Sequence, residues 1–348
     1  MKVKTGLAVE YLPRDKGSVL VRALGENGAA VAETAFTATH LDEARILYME
    51  ATELLRARAK LGESPAAIRS LLEKLFAAFR GEKVSFAENV SAKPQPKPSG
   101  DFRPNPGKQI EIDVDGATYE RLPVRTRLIT LADTDIMPIL EDYVRPYLKP
   151  GDILFISEKA LTITQGRVVD MGMVKPARLA RFLARNISNN YGSGDFRGFG
   201  HGTSLAMQLF IEEAGYLRVL FAAAVAALTR PLGIRGAFYW LCGKQAKSVD
   251  CPMSFLILDY AHAAKLAPHD PDGAARRIKK ALGAETVILD ANYLGAFSLG
   301  KSSRAVSEPF IQKAFRDNPL GQSDEMTPFC ILRQASKKHD DPATGSRR

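Results

Sequence analysis

Pro268-His-Asp-Pro-Asp-Gly-Ala-Ala-Arg-Arg-Ile-Lys-Lys-Ala-Leu-Gly283-Ala-Glu-Thr-Val-Ile-Leu-Asp290 decides the fold class of this chain. Asp270 and Asp272 read as helix-entry residues, because a helix N-terminus favours negative charge. The helix covers 274–282, and Gly283 ends it. Val287–Ile288–Leu289 then forms a short apolar strand, and Asp290 closes it. An acid at the end of a buried strand is costly unless it is paired, at an edge or metal-bound.

Outward from this unit, the same alternation recurs. Ile153–Leu154–Phe155–Ile156 is a continuous apolar run, which implies a strand covered on both faces. Ile110–Val114 and Thr118–Thr126 read as strands around the turn Asp115–Gly116, and Phe329–Leu332 closes the sheet. Helices are expected over Thr134–Tyr147, Pro176–Asn186 and Ser307–Arg316. Val219–Ala227 reads as a core element, preferably a buried helix, and Gly233–Leu241 as an aromatic-rich strand. Residues 1–90 form a small α+β module: strands at Leu7–Tyr11, Ser18–Arg22 and Ala29–Thr37, then helices from Leu41 and from Ser64 to Phe79. Ser64 is read as an N-cap with Pro65 at the first helical position. Residues 91–108 are a proline-rich linker, 109–335 a second, mixed-sheet domain, and 336–348 a disordered tail. The fold class is therefore α+β.

The chain has 348 residues, 45% hydrophobic and 25% charged, with net charge +9. A basic balance favours anionic partners: nucleotides, phosphates, polycarboxylates or nucleic acid. Much of the charge lies at the ends and in linkers, so nucleic acid is not the expected partner. Three cysteines without a C-x-x-C pair point to the reducing cytoplasm. The run Val219–Leu228 is too short to span a bilayer, which takes about 20 residues, so no membrane partner is expected.

Candidate chemistry gathers in the second half. Asp250, Asp290 and Gln322 each close or follow an apolar run, and their oxygens suit one hard cation, Mg²⁺ or Mn²⁺. Arg167 carries a planar fork for a phosphate or carboxylate. Gly200, Gly202 and Thr203 lie at the glycine-rich entry to a helix, where free amides can hold a phosphate. Cys251 has no histidine placed beside it by motif and reads as structural.

The order of these motifs resembles the coenzyme F420-0:L-glutamate (γ-glutamyl) ligase family. The resemblance covers about residues 120–333. It runs through Lys149-Pro-Gly-Asp-Ile-Leu-Phe-Ile-Ser157, Thr164–Gln165–Gly166–Arg167, Val249–Asp250–Cys251, Pro268-His-Asp-Pro-Asp-Gly273, Ile288–Leu289–Asp290 and Leu320–Gly321–Gln322. It implies a ligase domain of that type in a homodimer. The implied reaction uses GTP, or ATP, to activate a carboxylate as an acyl phosphate, which an amine then attacks. Asp250, Asp290 and Gln322 would hold the divalent metal. The chain departs from the family at Thr162–Ile163, where the family has Ser-Lys, and at Gln165, where it has Glu. The alternative is a non-catalytic nucleotide- or partner-binding protein that keeps the ligase fold.

Overall fold

The computed structural model describes residues 6–60, 62–82, 100–186, 203–234, 236–251, 253, 263–292, 295–321 and 325–335. The expected linker 91–108 is thus described only from 100 onward, and the tail 336–348 lies outside the described residues.

The N-terminal segment follows its pattern closely. β1 (Ala8–Pro13), β2 (Val19–Leu24) and β3 (Ala30–Phe36) form an antiparallel sheet in sequence order. α1 (Leu41–Lys60) and α2 (Pro65–Phe79) cover it. Ser64 accepts a hydrogen bond from the Ala67 amide, with Pro65 in the first turn. Val9, Val21, Leu47, Leu54, Leu72 and Phe76 fill the core between sheet and helices.

Next come β4 (Glu111–Val114) and β5 (Ala117–Val124), joined by Asp115 and Gly116, both at positive φ. This is the backbone that a two-residue hairpin requires. The helix expected over Thr134–Tyr147 is shorter: α3 (Met137–Tyr143) is followed by a 3₁₀ turn at Arg145–Tyr147. Pro146, which has no amide to donate, stands in that turn. β6 (Ile153–Ser157) leads straight into α4 (Glu158–Thr164), then β7 (Val168–Asp170) and α5 (Arg178–Asn186).

Four further helices follow: α6 (Ser204–Ala214), α7 (Tyr216–Thr229), α8 (Ala237–Cys242) and α9 (Lys244–Lys247). Two expectations are corrected here. Gly233–Leu241 is not a strand. Gly236 and Gly243 at positive φ bracket a short helix, whose Phe238 stacks on Phe210 of α6 at 5.4 Å; tertiary packing overrides the aromatic strand preference. Val219–Ala227 is helical, but only Val219 and Ala222 of α7 are buried.

β8 (Ala263–Lys265) pairs with β7. α10 (Pro271–Leu282) begins at Asp270, whose side chain accepts from the Gly273 amide, and Gly283 ends it at φ 78°. β9 (Glu285–Asn292) runs two residues past Asp290 and pairs with β10 (Gly295–Lys301), a strand the sequence reading missed. α11 (Glu308–Ala314) is capped by Ser307, and β11 (Phe329–Gln334) closes the sheet.

The six-stranded sheet has the order β10-β9-β6-β11-β5-β4. It is mixed: β6 runs parallel to β9 and antiparallel to β11. Leu154, Phe155 and Ile156 of β6 are fully buried, as a central strand requires.

The chain divides into two compact units that do not follow chain order: 1–96, 127–136 and 158–269 in one; 97–126, 137–157 and 270–348 in the other. The helical segment expected within the second domain therefore groups with the N-terminal segment. Ile46 of α1 shares a core with Met171, Leu205, Val249 and Cys251. Among the described residues no helix is long and apolar enough to cross a membrane.

Candidate functional site

In the first unit, the motif segment Val249–Cys251 meets β8. Asp250 and Lys265 exchange backbone hydrogen bonds in an antiparallel bridge, at 3.1 and 2.8 Å. This sets both side chains beside the first turn of α4. Lys265 is wholly buried, and its Nζ donates to Glu158 Oε1 at 2.6 Å and to the Ser248 carbonyl. It also stands 3.7 Å from Asp250 Oδ2. Lys159, the next residue of α4, brings a second ammonium to 3.3 Å from the same oxygen and donates to the Met253 carbonyl at 2.9 Å. Lys265 and Glu158 are closed off from water, while Asp250 and Lys159 are about half exposed. The cluster thus has a fixed buried base and an accessible rim.

The turn after α4 is pinned to the irregular segment that follows β8. Gln165 forms a two-bond amide bridge with the backbone of His269, at 2.9 and 2.7 Å. Arg167 donates through Nε to the Ala267 carbonyl at 2.5 Å and pairs through Nη2 with Glu213 at 2.6 Å. One edge of the guanidinium expected to meet a phosphate therefore serves α6.

Thr203 is the N-cap of α6, accepting from the Ala206 amide at 3.1 Å. The Ser204 amide, next to Thr203, donates to Asp42 at 2.8 Å. The helix entry already holds a carboxylate of the protein itself. Gly200 and Gly202 lie outside the described residues.

Asp290 belongs to the second unit, opposite Phe297 of β10. Val287 and Leu289 enter one core, so strand alternation turns Ile288 and Asp290 to the other face. Asp290 is half-buried, and its strand continues to Asn292, so it does not end the strand as expected. Gln322 lies outside the described residues. Asp250 and Asp290 thus fall in different units. Among the described residues no three His, Cys, Asp or Glu side chains stand together as a metal group.

Cys251 is buried, with its Sγ 3.5 Å from Met171 Sδ. Burial pushes its thiol well above the usual range, and the nearby Glu50, Asp250 and Asp42 carboxylates add to this. A thiol held neutral is a poor nucleophile, which agrees with its structural reading.

Sequence reasoning missed Glu158, Lys159 and Lys265. The available signal was position: Glu158–Lys159 closely follows the apolar run Ile153–Ile156, with only Ser157 between. No family model matches this chain, and no curated protein matches it.

Proposed function

We propose that the chain is a nucleotide- and divalent-metal-dependent carboxylate–amine ligase, resembling coenzyme F420-0:L-glutamate ligase and working through an acyl phosphate. One observation carries this reading. Glu158 and Lys159, which lie between the motifs Lys149–Ser157 and Thr164–Arg167, meet Asp250 of the Val249–Cys251 motif in one charged cluster, with Lys159 3.3 Å from Asp250.

The half-exposed carboxylate of Asp250 is an oxygen donor of the kind an Mg²⁺ or Mn²⁺ ion takes. The ion, when bound, neutralises charge on the phosphates during phosphoryl transfer. Lys159, half-exposed beside Asp250, would be the residue to trade that pairing for a phosphate oxygen. Lys265 and Glu158 hold Asp250 in place through the β8 bridge. The pairing of Arg167 with Glu213 favours the second reading, a binding protein that keeps the fold without turnover.

Incubation with Mg²⁺ or Mn²⁺, GTP or ATP, a panel of carboxylic acids and glutamate tests the proposal. Phosphate release that depends on acid and amine together supports it. Metal-dependent nucleotide binding without release supports the binding protein, and the absence of both results removes the ligase reading.

A further inference from the structure

The expectation that the most apolar run is a core helix fails in an informative way. α7 turns Val219 and Ala222 into a core shared with Phe210 and Phe238. Leu217, Leu220, Phe221, Ala224, Ala227 and Leu228 are all exposed. At about 100° per residue they occupy an arc of roughly 120° opposite the buried side. Leu217 is 85% exposed and Leu228 75%. The apolar surface continues through Leu232, in the 3₁₀ turn Arg230–Leu232 after α7, at 76%, and Trp240 of α8 at 66%. Scattered exposed apolar residues need no explanation, but a contiguous set on packed helices does.

Charge says what covers this face. From Ala214 to Val249 the sequence contains Arg218, Arg230, Arg235, Lys244 and Lys247, and neither Asp nor Glu. Arg218 and Arg230 are exposed on α7 and at its end. A second copy joined by a two-fold axis would present the same cationic face to itself, and like charges would oppose the contact. A bilayer with anionic headgroups satisfies both features, taking Leu, Phe and Trp side chains at the acyl boundary and the arginines among the phosphates.

We propose that α7, the turn after it and α8 form a peripheral attachment surface for an anionic lipid bilayer. The expectation of no membrane partner rested on the absence of a spanning stretch, and surface attachment needs none. This inference is independent of the ligase reading.

Trp240 is the only tryptophan of the chain, which makes it a reporter placed on the face itself. The full chain is mixed with vesicles of phosphatidylcholine alone, or of phosphatidylcholine with phosphatidylglycerol. Binding is read by flotation and by the Trp240 emission. The expected result is flotation and a blue shift with the anionic vesicles only, weakened by salt. Phe221→Asp should abolish both, and Arg218→Gln should lower the partition about fivefold. Circular dichroism on each variant checks that the fold is kept; should Phe221→Asp fail to fold, Leu217→Asp at the most exposed position replaces it. The proposal is overturned if the wild-type chain stays with the unbound fraction at low salt, or if the folded Asp variant floats as well as wild type. Self-association that Phe221→Asp breaks, without flotation, assigns the face to a second copy and also overturns it.

Discussion

The buried ammonium of Lys265 stands 2.6 Å from Glu158 Oε1, and both residues are almost completely closed off from solvent. Removing one partner of such a pair leaves an uncompensated buried charge, which costs about 3–5 kcal/mol. Lys265→Met should therefore lower the urea midpoint strongly. Lys265→Met combined with Glu158→Leu should recover much of the loss, because no charge is then left buried. A double-mutant cycle reads the difference.

Glu50 offers the opposite case. It is fully buried on α1, and among the described residues neither carboxyl oxygen has a hydrogen-bond partner. Desolvation raises its pKa well above the usual 4.5. The folded state then holds a proton that the unfolded state releases, so the group favours folding least at high pH. Stability should fall as pH rises from about 4.5 toward the raised folded value. Glu50→Leu should remove that slope and stabilise the protein at pH 8 by about 1–3 kcal/mol. Urea unfolding at several pH values checks both statements.

In the second unit, Arg121 is a buried cation between Asp317 and the carbonyls of Gln109, at 2.8 Å, and Ala314, at 3.0 Å. Burial of Asp317 raises its pKa, but the hydrogen bond and charge of Arg121 outweigh that and hold it below 3.8. The stabilisation is present above 3.8 and is lost as pH falls through the depressed folded value. Asp317→Asn should therefore destabilise at neutral pH, and the gap to wild type should close on acidification. Thermal unfolding from neutral pH to below pH 3 measures this.

Local rules that depend on few atoms were legible in the sequence. The caps at Ser64 and Asp270 and the stop at Gly283 were readable because each needs one side chain or one positive φ. The buried strand at Ile153–Ile156 was readable from its unbroken apolar run. β10 was hidden because its buried face carries Ala296, Ser298 and Gly300, which give no apolar alternation. Gly300 is required there: a Cβ would lie 2.3 Å from the Pro271 backbone. α7 was misplaced because an apolar run without periodicity does not say which side is covered. At the site, Asp250 and Arg167 were found from motif order. Lys265 was not, because a buried lysine becomes intelligible only when its partners Glu158 and Ser248 are in view.

The most direct measurement is titration calorimetry of GTP and ATP into the protein with and without Mg²⁺ or Mn²⁺, alongside phosphate release. The account expects binding that requires the metal, weakened at least about tenfold by Asp250→Asn and by Lys159→Met, with unchanged circular dichroism. Nucleotide binding that ignores both the metal and these substitutions, or no binding at all, would contradict it.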